Sequence, residues 1–179
     1  EADFIMKGLL DTSILLKAVL NKEWGLRNNS LLSHVMIYEV PTYHKLLYLT
    51  DGGMNIAPNI EEKEKIIENA CIVAEALGNT TIKVALLAAK EKVDPKMSAT
   101  TDAGLLVERY NNSKHNGNII VEGPLALDIA LSKEAAEIKG FKDGIVGDAD
   151  ILLVPNIEMG NGIGKAITYL AKGKSAGIV

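Results

Sequence analysis

Residues 45–88, KLLYLTDGGMNIAPNIEEKEKIIENACIVAEALGNTTIKVALLA, contain two short apolar runs on either side of one long amphipathic segment. The runs at 45–50 and 83–88 have the length of strands. The segment at 60–77 places its apolar residues at helical spacing, with a Pro-Asn pair before it and a Gly-Asn pair after it. The stretch therefore predicts a strand, a helix and a strand in order, which is the repeating unit of an α/β fold.

The rest of the chain continues this alternation of short apolar runs and longer helical patterns. The predicted strands are 4–6, 34–40, 45–50, 83–88, 118–121, 151–154 and 175–179. The predicted helices are 12–20, 60–77, 99–110, 124–132 (with an extension toward 139) and 161–172. Strands that alternate with helices form mainly parallel sheets, whereas the short link at 41–44 predicts one antiparallel hairpin. We therefore expect an α/β fold with a mainly parallel sheet, and composition locates no domain boundary within it.

The composition excludes several classes of protein. The chain has 179 residues, enough for one domain or two small ones, and 47% of them are hydrophobic, so it can bury a core. A net charge of −4 and 4% aromatic residues give no support for nucleic-acid binding. The single cysteine, Cys71, rules out an internal disulfide and favours a reducing, cytoplasmic setting. Because Cys71 lies at the apolar face of the helix at 60–77, we predict a buried structural thiol.

The two ends of the chain give a further expectation. No apolar run approaches the ~18–20 residues of a membrane span, and no signal peptide is visible. The chain opens with Glu1 rather than Met, and the predicted strands at 4–6 and 175–179 lie at its ends. We therefore expect a fragment of a larger protein that has no membrane partner.

A glycine cluster, Gly160-Asn161-Gly162-Ile163-Gly164-Lys165, follows a predicted strand and opens a predicted helix. This is the context of nucleotide-binding motifs, but both spacings fail. Lys165 stands where a dinucleotide fingerprint needs its third glycine, and Ala166 stands where a P-loop needs a hydroxyl. A glycine-rich turn at a helix N-terminus still offers free N–H groups to an anion. An anion site with Gly160, Asn161 and Lys165 and a purely structural turn are both open at this point.

Residues 6–13, MKGLLDTS, have a similar arrangement, in which Lys-Gly precedes three residues that can cap a helix. Capping accounts for one of the three, and the residues alone favour that interpretation. The alternative is a phosphate site, since cations and hydroxyls lie together here. That site would use Lys7, Gly8, Thr12, Ser13 and Lys17.

Two acidic segments adjoin other predicted strands. Asp51 and Asn55 lie directly after the strand at 45–50, and ligands of α/β proteins bind at the carboxyl ends of strands. A simple turn explains the same residues. Asp148 and Asp150 precede the strand at 151–154, where they could bind a metal, hold an arginine or face water, and the spacing does not decide.

The remaining chemistry-bearing residues form no recognisable catalytic motif. The histidines, at 34, 44 and 115, show no metal-ligand spacing, so we predict no metal site. No Gly-x-Ser-x-Gly elbow supports a hydrolase triad.

Longer segments resemble the phosphate acetyl/butyryltransferase family, and its phosphate butyryltransferase branch in particular. They lie along the whole chain, at 3–12 with 15–23, 32–35, 49–51 with 54–58, 123–128 and 147–158. The last of them, GDADILLVPNIE, is followed by Gly160, Asn161 and Lys165, which belong to the same resemblance. Gly162 and Gly164 depart from the family, which usually has a bulkier pair there.

The resemblance implies an isocitrate/isopropylmalate dehydrogenase-like fold of two lobes with a cleft between them, of which residues 1–179 form a part. It also implies reversible transfer of a short acyl group between coenzyme A and inorganic phosphate, as in butyryl-CoA plus phosphate giving butyryl phosphate plus CoA. Both compounds are substrates, so no separate cofactor and no metal is expected. Catalytic serine, arginine and acid roles are expected beyond Val179, and a further lobe before Glu1. A homo-oligomer is expected.

With the resemblance, we expect one set of residues to bind the substrates. The set is Lys7, Gly8, Thr12, Ser13, Lys17, Asp51, Asn55, Asp148, Gly160, Asn161 and Lys165. Three alternatives stay open: a phosphate acetyltransferase, a non-catalytic fragment that binds CoA or phosphate, and a dehydrogenase of the same fold. The dehydrogenase would need an arginine cluster for a hydroxy-diacid, and the chain has only Arg27 and Arg109. The length of the acyl group depends on the shape of the cleft, which the sequence does not give.

Overall fold

The computed structural model describes residues 4–26, 30–112 and 118–179. The chain divides into two compact units, Glu1–Leu31 and Leu32–Val179. Arg27 and His115 lie outside the described residues.

The first unit contains helix α1 (Thr12–Val19), none of whose residues is buried. Asp11 is its N-cap, and the Asp11 side chain accepts a hydrogen bond from the backbone N–H of Ser13 at 2.7 Å. The capping interpretation of this segment is therefore confirmed. The strand predicted at 4–6 is wrong, because these residues have no regular structure. An extended segment becomes a strand only when a neighbour pairs with its N–H and C=O groups, and no described strand pairs with this one.

The second unit alternates strands with helices, as the sequence predicts. In chain order its elements are β1 (Val35–Glu39), β2 (Leu46–Thr50), α2 (Ile60–Ala76), β3 (Ile82–Leu87), α3 (Ser98–Asn112), β4 (Ile119–Leu125), α4 (Leu127–Leu131), α5 (Lys133–Ile138), β5 (Ile151–Leu153), α6 (Ile157–Tyr169) and β6 (Lys174–Ile178).

The strands form one mixed sheet in the order β4-β3-β5-β2-β1-β6. Strands β4, β3, β5 and β2 are parallel, with Leu49 of β2 opposite Leu152 of β5. Strand β1 is antiparallel to both of its neighbours, so that Met36 pairs with Leu49 on one side and with Gly177 on the other. The mainly parallel α/β fold and its antiparallel hairpin are thus confirmed. The isocitrate/isopropylmalate dehydrogenase-like label stays a prediction.

Helices cover both faces of the sheet. On one face α4, α5 and α6 pack over Leu49, Ala85 and Leu152, which form a buried core with Ile129 and the partly buried Ile163. On the other face α2 contacts β2, β3 and β5, and α3 contacts β3 and β4. Strand β5 therefore lies between β2 and β3, whose following helices, α2 and α3, cover the face opposite to α6, the helix that follows β5. In α/β proteins, ligands bind at the carboxyl ends of neighbouring strands whose following helices lie on opposite faces of the sheet.

The predicted starts of two helices are wrong. The helix predicted at 161–172 begins earlier, at Ile157, because the side chain of Asn156 accepts the backbone N–H of Met159 and caps α6 there. Strand β4 extends to Leu125, so the helix predicted to start at 124 starts only at Leu127. The Thr50–Asp51 and Gly123–Pro124 peptide bonds are cis.

Helix α2 follows its prediction closely. It begins at Ile60, where Asn59 and Glu62 form a capping box, and it ends at Ala76. Cys71 lies on its buried side, and burial, reinforced by the neighbouring Glu75 and Glu68, raises the pKa of the thiol to about 12. The prediction of a buried structural thiol is confirmed. Of the helices that the structure describes, none is long and apolar enough to span a membrane.

Candidate functional site

The carboxyl ends of β2 and β5 bring together two segments that the sequence singles out. The loop at 51–55 follows β2, and α6 follows β5. Loop and helix are in backbone contact at Gly52 and Gly160. A Cβ on Gly52 would lie 2.8 Å from the carbonyl carbon of Gly160, and a Cβ on Gly160 would lie 2.7 Å from the Cα of Gly52. The Asn161 side chain spans the same contact, since its Nδ2 lies 3.5 Å from the Gly52 carbonyl oxygen.

The buried carboxylate of Asp51 holds this loop in place through hydrogen bonds. The residue is 2% exposed. Its carboxylate accepts hydrogen bonds from the backbone N–H groups of Gly53 (2.8 Å), Met54 (2.8 Å) and Asn55 (3.3 Å), from Asn55 Nδ2 (2.6 Å) and from the backbone N–H of His34 (3.0 Å). These contacts use the oxygens that a ligand would need. The geometry therefore favours a positioning role for Asp51 over the direct substrate contact expected from the sequence.

Asn55 also acts within the loop. Its Nδ2 donates to Asp51 and, at 3.0 Å, to the carbonyl oxygen of Leu32. The donors of its amide are thus engaged with the protein, and the side chain ties the end of the loop to the segment that precedes β1. Its direct contact with a substrate stays a prediction.

The glycine cluster lies inside α6 and not in a turn before it. Gly160 and Gly164 are buried positions of this helix. A Cβ on Gly164 would lie 2.7 Å from Tyr38 Oη, so this glycine lets the helix pack closely on β1, whereas Gly162 has nothing within 4 Å. Two N–H groups at the start of α6 are already engaged, because Ile157 donates to the Ile56 carbonyl oxygen at 2.9 Å and Met159 donates to its cap. The sequence interpretation of this cluster as a glycine-rich turn before the helix is therefore wrong.

What the helix offers instead is an exposed face. Asn161 and Lys165 are exposed and stand one turn apart on α6. The amide of Asn161 adjoins the loop at Gly52, and Lys165 adds a positive charge on the same side of the helix. These two side chains remain candidates for contact with an anionic substrate.

Asp148 lies at the opposite end of the sheet. It precedes β5, beside the start of β2, where the carboxylate receives His44 Nε2 at 2.7 Å, Lys45 Nζ at 3.0 Å and the ammonium of Lys83. Partial burial alone would raise the pKa of Asp148, but the hydrogen bonds from these three side chains outweigh it and lower the pKa well below its usual range. The structure does not bring Asp148 together with the loop at 51–55 and α6, and its contact with a substrate stays a prediction.

Asp150 completes this cluster of charges. It is 3% exposed and accepts hydrogen bonds from the backbone N–H of Lys83 at 2.8 Å and from Asn79 Nδ2 at 3.2 Å, and it pairs with Lys45 at 2.7 Å. The two acids therefore hold lysines, which is none of the three roles considered from the sequence. Within the described residues no group of His, Cys, Asp and Glu side chains could hold a metal ion.

The candidates of the first unit are all exposed. Lys7 Nζ donates to the carbonyl oxygen of Gly8 at 3.3 Å, and a Cβ on Gly8 would meet nothing within 4 Å. Thr12 and Ser13 form the first turn of α1, and Lys17 lies in its last turn. Cations, hydroxyls and a helix N-terminus are thus available to solvent within one short segment. Their role in substrate binding stays a prediction.

A buried ion pair near β5 was not anticipated. Lys63 Nζ of α2 lies 2.6 Å from Asp102 Oδ2 of α3, and Lys63 is only 5% exposed. The pair lines a small cavity with Leu86 and Leu153. In the sequence Lys63 belongs to a run of charged residues typical of a solvent-facing turn, so no local signal reveals its partner. The pair ties the two helices together.

Comparisons with known proteins show the family to which the chain is similar. The family model described as phosphate acetyl/butaryl transferase matches residues 1–179. The probable phosphate butyryltransferase of Bacillus subtilis is 49% identical over 99% of this chain and 59% of its own length. The phosphate butyryltransferase of Clostridium acetobutylicum is 45% identical over 100% of this chain and 59% of its own length. The phosphate acetyltransferase of Thermotoga maritima is 41% identical over 100% of this chain and 60% of its own length.

A solved structure extends the comparison to the fold. The crystal structure of a branched-chain phosphotransacylase from Enterococcus faecalis matches with a TM-score of 0.88 and 41% identity, over 95% of this chain and 60% of that one. The chain thus spans about 59% of the length of the curated relatives named above.

Proposed function

Because the chain belongs to the phosphate acetyl/butaryl transferase family, we propose that the whole protein transfers a short acyl group between coenzyme A and inorganic phosphate. The observation that carries the proposal is the match of the family model to all 179 residues. The position of the candidate site at the carboxyl ends of β2 and β5 is consistent with it, since α/β proteins bind ligands there.

The reaction defines what the site must do. A phosphate oxygen attacks the thioester carbonyl carbon, negative charge builds on the carbonyl oxygen, and the C–S bond then breaks so that sulfur leaves with the electron pair and takes up a proton. Donors aimed at the carbonyl oxygen and a proton donor near sulfur lower the barrier. Both substrates are anions, so cations and N–H groups are needed to hold them together.

The residues of this chain divide into two proposed roles. Direct contact with the anionic substrates is proposed for the exposed groups, which are Lys7, Gly8, Thr12, Ser13, Lys17, Asn161 and Lys165. Positioning is proposed for Asp51, Asn55 and Gly160, because the first two hold the loop and the third lets α6 approach it. Catalytic serine, arginine and acid roles are proposed for residues beyond Val179.

The acyl group is proposed to be butyryl, with acetyl as the alternative. Relatives named for butyryl transfer are 43–49% identical, and one matching crystal structure is of a branched-chain phosphotransacylase. The acetyl alternative is supported by the Thermotoga maritima relative at 41%. A non-catalytic role, binding CoA or phosphate without turnover, is the remaining alternative for the chain by itself.

The test is phosphate-dependent release of CoA thiol from butyryl-CoA, isobutyryl-CoA and acetyl-CoA. It is run in parallel on the 179-residue chain and on the whole gene product. Activity in the whole protein, with butyryl-CoA preferred, supports the proposal, and a preference for acetyl-CoA favours the alternative substrate. A well-folded whole protein that releases no thiol from any of the three rejects acyl transfer.

A further inference from the structure

We propose that His34 is a substrate-contacting residue, which donates a hydrogen bond from Nε2 to an anionic oxygen of the bound phosphate or of the reacting acyl group. The proposal rests on the proposed function and adds to it a residue that the sequence did not single out for the site.

His34 lies at the same edge of the sheet as the loop at 51–55. It directly precedes β1, and because β1 is antiparallel to β2, its amino end lies beside the carboxyl end of β2. The His34 ring borders the loop itself, since a Cβ on Gly53 would lie 2.7 Å from Nδ1. The imidazole thus stands next to the loop whose Gly52 contacts α6.

The backbone of His34 is held on both sides. Its N–H donates to Asp51 Oδ2 at 3.0 Å, and its carbonyl oxygen accepts from Thr50 Oγ1 at 3.1 Å. The preceding residue, Ser33, is buried and its hydroxyl accepts from Asn69 Nδ2 at 2.9 Å. Asp51 therefore fixes His34 and the loop with the same carboxylate. A backbone held at both its N–H and its carbonyl oxygen fixes the position from which the ring projects, which favours pre-organised contact with a ligand.

Two glycines leave room for the ring. A Cβ on Gly53 would lie 2.7 Å from Nδ1, and a Cβ on Gly177 of β6 would lie 3.0 Å from Nε2. A side chain at either position would crowd the imidazole. The space around His34 is therefore shaped by the absence of side chains on two separate segments, the loop and the last strand.

The ring nitrogens have no partner in the described residues. Nδ1 is buried without a hydrogen bond, whereas Nε2, which also lacks a partner among those residues, is not buried. An unpaired buried polar atom costs about 1–3 kcal/mol, so a ring that served only to fill space would be better replaced by an apolar one. Because Nδ1 is buried, Nε2 is the ring nitrogen that a ligand could reach, and we assign the contact to Nε2.

The electrostatics decide which role the ring can take. Burial lowers the pKa of His34, and the nearby Asp51 opposes this shift without overcoming it. The imidazole is therefore neutral near pH 7 and carries one proton. In the tautomer that carries this proton on Nε2, the proton can be donated to a ligand. An anionic oxygen accepts such a bond, and the bond strengthens as charge develops on the oxygen.

Two oxygens fit this description, and kinetics distinguish them. A bond to bound phosphate holds the substrate before reaction, so its loss raises the KM for phosphate. A bond to the carbonyl oxygen strengthens as the tetrahedral intermediate forms, so its loss lowers kcat.

The experiment compares His34→Gln and His34→Asn in the whole enzyme. The Gln amide nitrogen can reach the position of Nε2, whereas the Asn amide reaches only that of Nδ1. We expect the Asn variant to lose about tenfold or more in kcat/KM and the Gln variant to stay within about threefold of the wild type. His44→Gln is the matched control, because His44 lies at the other end of the sheet with Asp148. It should leave kcat/KM unchanged.

Either of two results overturns the proposal: wild-type kinetics in the Asn variant, or equal losses in the Asn and Gln variants.

A second measurement does not depend on turnover. In the nitrogen-15-labelled whole protein, titration with inorganic phosphate should shift the His34 imidazole resonances and leave those of His44 in place, if phosphate is the contact. If the wild-type enzyme releases no thiol, the proposed function is rejected. If phosphate titration of the wild-type enzyme also leaves the His34 resonances in place, the phosphate contact is rejected as well.

Discussion

The Cα of Gly52 and the position of a Cβ on Gly160 are separated by only 2.7 Å, so a loop after β2 and a helix after β5 touch through their backbones. The contact lies at the carboxyl ends of β2 and β5, where the covering helices change faces. Around it lie the exposed Asn161, the anchored Asp51 and the ring of His34. The candidate site of this unit is therefore organised by close backbone approach and by one buried carboxylate.

We expect Gly160→Ala to separate the loop from α6. The new methyl group would meet Gly52 and Val154, so the variant should lose about 1–3 kcal/mol of unfolding free energy despite the better helix propensity of alanine. Gly162→Ala is the matched control. Gly162 is exposed on the same helix with nothing within 4 Å, so its substitution should stabilise by about 1 kcal/mol. Denaturant unfolding of both variants measures the difference, and equal stabilities would show that the glycine contact is unimportant.

We expect Asp51→Asn to loosen the loop and the start of β1 together. An amide in place of the carboxylate turns one acceptor oxygen into a donor that faces backbone N–H groups, which should cost about 1–3 kcal/mol. Activity in the whole enzyme should fall as well, since the loop and His34 lose their common anchor. Asp143→Asn removes the same charge at an exposed position and should change neither quantity. A variant with wild-type thermal stability would contradict the positioning role.

Asp148 should contribute to the pH dependence of stability. Its pKa is lower in the folded protein than in the unfolded chain, so its stabilising contribution is present above the unfolded value of about 4 and is lost as the pH falls toward the folded value. Asp148→Asn removes this component. The unfolding free energy of the variant should therefore be lower near pH 7 and should fall less steeply between about pH 5 and pH 3. Parallel pH profiles for the two proteins would contradict the ion-pair cluster.

Local patterns in the sequence predicted most of the helices and strands but few of the contacts in the candidate site. The period of the apolar residues at 60–77 and its flanking signals located α2, because both are properties of neighbouring residues. Gly160 misled the prediction of α6. Glycine disfavours helices, but Gly160 is needed here because a side chain would collide with Gly52. The sequence does not reveal this contact, because Gly52 lies more than a hundred residues away. The ion pair of Lys63 with Asp102 and the ring of His34 are likewise set by contacts between distant segments.

Asp148 is a different case, because a local signal was available. Residues before a strand lie at its amino end and residues after it lie at its carboxyl end. In a parallel sheet these ends belong to opposite edges. Asp148 precedes β5 and Gly160 follows it, so the two cannot share an edge. Strand direction alone separates them.

Lys7→Ala in the whole enzyme should raise the KM for phosphate or for acyl-CoA more than about tenfold, which is the effect of losing one charge-assisted contact. Lys7 is exposed, and its ammonium donates a hydrogen bond to the carbonyl oxygen of the adjacent Gly8, so thermal stability should not change. Lys22→Ala removes an exposed lysine from the same unit and should leave the kinetics unaltered. Unchanged kinetics in the Lys7 variant would remove this residue from the site.

Lys165→Ala tests the exposed face of α6. Lys165 stands one turn from Asn161, which adjoins the loop through Gly52, so its ammonium is available to an anionic substrate near the candidate site. We expect the KM for phosphate or for acyl-CoA to rise about tenfold, with kcat changing less than about twofold, because a contact made equally before and during reaction affects binding alone. Lys65→Ala is the matched control, an exposed lysine on α2, and should behave as the wild type. A KM that is the same in both variants would show that substrates do not reach this face of α6, and the contact with the anion would then have to come from elsewhere in the protein.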